Sequence, residues 1–385
     1  MSTINNQKDI QTKSDKKQGK FQGCLGRGIL GLLVFLLAAW AIYRLLANFQ
    51  FHGRGFLGAF AVLAIMIIMG AIYQSVASVR DLKKYPPPGK LYDVGDRRLH
   101  LYSTGEGDPT VILEAGGSSP GLLWYLVQKE IAKFARVCSY DRAGFGWSDP
   151  VSKPLSASVV AGDLHKLLRT ANVPGPYILV GHSIGGVYVR AFTHQYPAEV
   201  VGMVLVDSSH ESQNLRYPPE FKKLSDRQSS TMRMLPLLSK LGILRLTRAW
   251  SLMMPEPPLP VEVGRAILAT MYRTSYCEAF FEEMIAIAGM VNQEKGPASL
   301  GDLPLIVLAA DDSIKKMPEA MVKAIGQNAF EKLLQVAQEF PQELAGLSTR
   351  GRLIVVENSS HYIQWDQPKV VIDAIKEIVE QVRDK

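Results

Sequence analysis

The stretch YILVGHSIGGVYVRAF, residues 177 to 192, decides the fold. Four strand-forming residues, Tyr177 to Val180, lead into Gly181-His182-Ser183-Ile184-Gly185, and a helical pattern begins at Gly185. A strand that turns sharply into a helix with a serine at the corner is the setting a nucleophile elbow needs. The turn projects the hydroxyl, and the flanking glycines let strand and helix approach closely. The five-residue pattern alone is weak, because a second match occurs at Gly117-Ser118-Ser119-Pro120-Gly121. Pro120 disqualifies that match: the residue after the nucleophile must donate its backbone N–H to an oxyanion, and proline has none.

Outward from the elbow, strand-like and helical runs alternate. RLHLYS, TVILEA, RVCSYD and VVGMVLVD read as strands, with helices near residues 122–134 and 156–168 and another from Gly185. From about Ser208 to Pro297 the strand signal stops, and Met-rich, Pro-punctuated helical sequence replaces it. Strands resume at LPLIVLA (303–309) and RLIVVE (352–357), and a helix near residues 368–382 ends the chain. This alternation predicts an α/β fold, a mainly parallel sheet with helices on both faces, interrupted by a helical cap over about 208–300.

Ligands of open parallel sheets bind beyond the carboxyl ends of the strands, so polar residues just after apolar runs carry the chemistry. A serine hydroxyl needs a base to become a nucleophile. His361, in the loop after the last strand, is the best placed of the seven histidines; His182, beside Ser183, points elsewhere and reads as structural. An acid must orient the base. Asp311 and Asp312 follow the strand LPLIVLA, and Asp207 ends VVGMVLVD, so all three are candidates.

The N-terminal quarter is different in kind. Residues 1–90 hold 12 basic and 3 acidic residues, whereas residues 91–385 hold 31 and 33. The net charge of +7 therefore belongs to the first quarter, and a basic nucleic-acid groove is excluded. Two apolar runs, 29–49 and 55–73, are each long enough to cross a bilayer if Arg44 snorkels to an interface. Lysines and arginines precede the first run and follow the second, which predicts a two-span hairpin with both ends on the cytoplasmic side. Cys24, Cys138 and Cys277 lack metal-ligand spacing and are odd in number, which predicts a reduced compartment without disulfides.

LEAGGSS, SYDRAGFGWSDP (139–150), GHSIGG (181–186), LVDSSH and SSHYIQWDQP together resemble the α/β-hydrolase superfamily, in its cap-bearing serine hydrolase branch. The resemblance covers nearly all of residues 90–385. It implies Ser183 as nucleophile, His361 as base and Asp312 as acid, since the family orders its triad Ser, acid, His along the chain. It implies an oxyanion hole from the N–H groups of Gly117 and Ile184. Three departures stand out: Ala115-Gly116 replaces the usual His-Gly pair, Ser360 replaces the Gly before the catalytic His, and 48 residues separate Asp312 from His361. The last keeps Asp207 open as the acid. Asp141 and Arg142 of DRAGFG are expected to brace the site.

The expected organisation is a basic tail (1–28), a transmembrane hairpin (29–78), a linker (79–90) and a hydrolase domain (91–385). The expected activity is acyl transfer to water from an ester, lipid or thioester, at the membrane, with no metal or organic cofactor and no nucleic-acid partner. An acyltransferase, an aminopeptidase or a silent binding protein on the same fold are the alternatives.

Overall fold

The structure is a computed structural model that describes residues 44, 55–152, 155–253, 257–293, 299–311, 315 and 317–384. The chain divides into two compact units.

The smaller unit comprises Met1–Tyr85, Met234–Glu256 and Met271–Thr274. Its dominant element is α1 (Gly55–Lys84), a single 30-residue helix. Of the two expected spans, the first lies outside the described residues. The second is longer than the apolar run 55–73, because residues 74–84 contain no Gly or Pro and continue the helix until Pro86 stops it. Residues 79–84, expected in a linker, are therefore helical. The part Phe60–Lys84 is long and apolar enough to cross a membrane. Phe60, Leu63, Ile68, Met69 and Ile72 on it are exposed.

Along its last turns α1 meets short cap helices. Gly70 lies against the backbone of Leu241, and Gly242 (φ 70°) against the Tyr73 ring. Gln74 Nε2 donates to Tyr272 O at 2.7 Å, and the Arg245 guanidinium reaches Gln74 Oε1 at 3.1 Å and the Asp81 carboxylate.

The larger unit comprises Pro86–Arg233, Pro257–Thr270 and Ser275–Lys385. Its eight-stranded sheet has the order β1-β2-β4-β3-β5-β6-β7-β8. The strands are β1 (Lys90–Asp93), β2 (Arg98–Thr104), β3 (Thr110–Glu114), β4 (Val137–Tyr140), β5 (Tyr177–His182), β6 (Val200–Val206), β7 (Leu305–Ala310) and β8 (Gly351–Val356). Only the β1/β2 and β2/β4 pairs are antiparallel. β1 is the strand the sequence reading missed, since Lys90 follows three prolines. β3, β5 and β6 are apolar along nearly their whole length and covered on both faces, as parallel strands between helical layers must be.

The helices of this unit begin with α2 (Tyr125–Ile131), α3 (Ala157–Thr170) and α4 (Gly185–Gln195). Ser156 caps α3, its hydroxyl accepting from Val159 N–H at 3.2 Å. Leu164, Leu167, Leu168, Val189 and Phe192 of α3 and α4 pack one face of the sheet. The opposite face is covered by α2 and by the C-terminal helix (Pro368–Arg383), whose Val371, Ala374, Ile375, Ile378 and Val379 form the stripe of a 3.6-residue period. Between β6 and β7 the described residues form α5 (Gln213–Arg216), α6 (Pro219–Met232), α7 (Leu235–Lys240), α8 (Ile243–Leu246), α9 (Ala249–Met253), α10 (Val261–Met271) and α11 (Thr274–Gln293), with no strand among them. Two more helices, α12 (Glu319–Ile325) and α13 (Gln327–Ala345), occupy the long interval between β7 and β8.

Candidate active site

β5 ends at His182, and Ser183 turns the chain into α4 with φ 54°, a left-handed conformation rare for a residue with a side chain. The turn is held at both ends: Ser183 N–H donates to Val206 O at 3.1 Å, and Ser209 N–H donates to Ser183 O at 2.9 Å. Glycine is required around it. A Cβ on Gly181 would lie 2.7 Å from Gly185 O, and one on Gly185 would lie 2.6 Å from Ala115 O.

β6 delivers Asp207 beside this turn. Its carboxylate is held by two donors: Oδ1 accepts from Ala310 N–H at 3.0 Å, and Oδ2 lies 2.6 Å from His361 Nδ1. His361 itself sits on the loop after β8, and the buried His182 fixes its main chain by donating Nε2–H to His361 O at 2.8 Å. Burial, reinforced by the His361 ring with its centroid 4.7 Å away, lowers the pKa of His182 to about 3, so it stays neutral. Ser183 and His361 make no direct hydrogen bond among the described residues, but Ser183, Asp207 and His361 line one cavity of about 670 Å3. The rest of its wall mixes apolar residues, among them Tyr217, Phe221, Met321, Leu334 and Phe340, with polar ones such as Gln213, Asp311, Lys315 and Gln338.

Of the two described acids singled out in the sequence, Asp207 is the one placed against His361. Asp311 is paired with Lys315, and its N–H is bonded to Val356 O. Asp312 lies outside the described residues. Among the described residues the carboxylate in contact with the His361 ring is thus the one that follows β6. β7 stays paired with β8 up to Ala310, and the Ala310 N–H is turned to Asp207.

The loop after β3 lies beside the elbow. A Cβ on Gly116 would stand 3.3 Å from Ser183 Cβ, and one on Gly117 3.4 Å from Ile184 Cγ2. Neither the Gly117 nor the Ile184 N–H donates to an acceptor among the described residues. Arg142 shapes this loop: its Nη1 donates to Ala115 O at 2.8 Å and its Nη2 to Gly116 O at 2.7 Å. A trans peptide points its C=O and N–H in opposite directions, so fixing Gly116 O aims the Gly117 N–H away from Arg142.

Arg142 is fully buried between two carboxylates, Glu114 Oε1 at 2.6 Å and Glu283 Oε1 at 3.0 Å. Burial pushes the Glu114 carboxyl up, and Arg142 opposes that shift. The neighbouring Asp141 is drawn up by burial, but His100 at 2.8 Å and the N–H groups of Trp147 and Gly121 hold it below the usual carboxylate range. Gly146 (φ 49°) is glycine because a Cβ there would fall on the Asp141 carboxylate. DRAGFG therefore braces the site. Glu283 and Tyr276, both on α11, also reach this loop, and the sequence reading missed them. Their only signal was a carboxylate on an otherwise apolar helical face.

Among the described residues no group of three or more His, Cys, Asp or Glu could hold a metal ion. The arrangement offers a hydroxyl on a sharp turn, an imidazole oriented by a carboxylate, and two unengaged backbone donors. Such a set can perform nucleophilic acyl transfer.

A sequence model of the Alpha/beta hydrolase family matches residues 111–374. A protein of Hormonema carpetanum named "Probable transporter efuK" is 29% identical over 309 residues, 77% of this chain and 43% of that protein. An "AB hydrolase superfamily protein" of Gibberella zeae is 27% identical, over 71% of this chain and 87% of its own length. The chain spans less than half the length of the first of these relatives. Among solved structures, a thermophilic esterase from Thermogutta terrifontis shares the fold with a TM-score of 0.51 and 20% identity, covering 74% of this chain and 94% of its own.

Proposed function

The chain belongs to the alpha/beta hydrolase family, and from that premise we propose that it is a membrane-anchored serine hydrolase cleaving an apolar ester, lipid or thioester. Ser183 is the nucleophile, His361 the general base and Asp207 the acid that orients it. The observation carrying this reading is the 2.6 Å contact of Asp207 with His361 Nδ1, in a cavity that Ser183 also lines.

His361 Nε2 takes the Ser183 proton as Oγ attacks the acyl carbon. The carbonyl oxygen becomes an oxyanion held by the Gly117 and Ile184 N–H groups, and the positive N-terminus of α4 adds to that stabilisation. Collapse expels the leaving group, which takes the proton from His361, and water repeats the cycle on the acyl-enzyme. Asp207 keeps Nδ1 protonated, so that Nε2 is the basic nitrogen.

The apolar part of the wall, formed by Phe221, Met321, Leu334 and Phe340, suits an acyl chain. α1, with Arg80, Lys83 and Lys84 at its end, serves as a membrane anchor and places the hydrolase on the cytoplasmic side. An anchored site meets a membrane-borne substrate at high local concentration.

A fluorophosphonate probe tests the reading. Wild-type protein in membranes is expected to label and Ser183→Ala is not. Absence of labelling in the wild type, or labelling that survives Ser183→Ala, refutes it.

A further inference from the structure

We propose that Tyr276 and Glu283, both on cap helix α11, are positioning residues that hold the oxyanion loop, so that cap contacts aim the Gly117 N–H at the reacting carbonyl. The inference rests on the serine hydrolase reading above.

The loop Ala115 to Ser118 has most of its backbone groups bound by side chains from elsewhere in the unit. Arg142 takes Ala115 O and Gly116 O. Ser118 is held on both sides by α11: its N–H donates to Glu283 Oε2, and its O accepts from Tyr276 Oη at 2.9 Å. Ser118 needs holding, because it lies at φ 55°, a region a side chain disfavours. Gly117, between Gly116 and Ser118, has no side chain to fix it, so its N–H direction is set by these flanking clamps.

The clamp is built as one buried network. Glu283 is completely buried, and its Oε1 accepts from Arg142 at 3.0 Å and from Tyr188 Oη at 3.1 Å. One carboxylate thereby holds Ser118 with one oxygen and orients Arg142 with the other. The helix also presses close along the loop: a Cβ on Gly117 would be 3.6 Å from Ile287 Cδ1. Burial and Glu283 together raise the Tyr188 phenol well above its ordinary value, keeping it a donor to the carboxylate. Glu283, Tyr276, Arg142 and Tyr188 are not among the described residues that line the cavity, which separates loop geometry from substrate binding.

The test uses the purified full-length chain in detergent, with active serines counted by fluorophosphonate titration. Turnover of a p-nitrophenyl ester is then measured per titrated serine. Glu283→Gln is expected to lower kcat by about 10- to 100-fold and Tyr276→Phe by about 3- to 10-fold, with KM within about twofold, since a displaced oxyanion donor forfeits part of the 10²- to 10³-fold such a donor supplies. Affinity for a trifluoromethyl ketone, whose carbonyl oxygen becomes an oxyanion when Ser183 Oγ adds to its carbon, is expected to fall in parallel with kcat/KM. Tyr276→Phe removes one hydroxyl and decides the matter if Glu283→Gln does not fold. Wild-type kcat per titrated serine in both variants, or a lowered kcat with unchanged ketone affinity, overturns the clamp alone. Titration that persists in Ser183→Ala overturns the hydrolase reading beneath it.

Discussion

Asp207→Asn isolates the acid. The Ala310 N–H, 3.0 Å from Oδ1, requires an acceptor, so the asparagine must turn its carbonyl oxygen there and present its NH2 to His361 Nδ1. Nδ1 then becomes an acceptor and the proton moves to Nε2, which can no longer take the Ser183 proton. The carboxylate's attraction for the imidazolium is lost as well. At about 4 Å between charge centres and an effective dielectric near 20 that attraction is about 4 kcal/mol, so kcat is expected to fall by about 10³- to 10⁴-fold. Packing is preserved, and the Ala310 hydrogen bond keeps a partner, so the melting temperature should change little. The assay is turnover of a p-nitrophenyl ester per folded molecule, with Asp311→Asn and Asp312→Asn in parallel, both expected near wild type. Full activity in Asp207→Asn, or a comparable loss in Asp312→Asn, refutes the assignment of the acid to β6.

Two further outcomes follow. His182 is buried with its pKa lowered, so the unfolded chain binds a proton that the folded one refuses; the folded state is fully favoured above pH about 6.5 and loses about 1.4 kcal/mol per unit as pH falls from there toward about 3. His182→Asn should flatten that slope in urea unfolding between pH 7 and 4.5, and an unchanged slope would mean that His182 is protonated in the fold. In the cavity, Ala337→Trp should shorten the preferred acyl chain: wild-type kcat/KM on p-nitrophenyl esters should climb about fourfold per methylene, from about 0.8 kcal/mol each, and the variant should stop climbing several carbons earlier. Identical profiles would place the acyl chain elsewhere.

The elbow was legible because local chemistry alone specifies it. Gly181, Ser183 and Gly185 sit where a strand must turn into a helix, and the close approach at Gly181 follows from that turn, whereas the one at Gly185 is to Ala115 beyond β3. His361 was legible because it follows the last strand. The acid was not, because Asp207, Asp311 and Asp312 all end apolar strands, and strand patterning does not say which end faces a loop returning after β8. What patterning cannot show is register: Val206 pairs with Leu308, which brings Asp207 level with the Ala310 N–H. Glu283 and Tyr276 were hidden for a related reason. They lie seven residues apart on α11, about two turns, and their partners Ser118 and Arg142 are more than 130 residues away.

The unusual interval of 48 residues between Asp312 and His361 has a structural content that links the acid to the pocket. α12 and α13 fill much of it, and residues of that insertion, Met317, Met321, Leu334 and Phe340 among them, make up much of the cavity wall. A carboxylate that lines this cavity needs compensation, since an ill-solvated charge is unfavourable. Asp207, which lines the same cavity as the insertion's helices, has its charge compensated by the Ala310 N–H and the His361 ring. Asp311, at the root, is instead turned to Lys315. The cavity wall thus combines the β7–β8 insertion with two compensated carboxylates, Asp207 held by Ala310 N–H and His361, and Asp311 paired with Lys315.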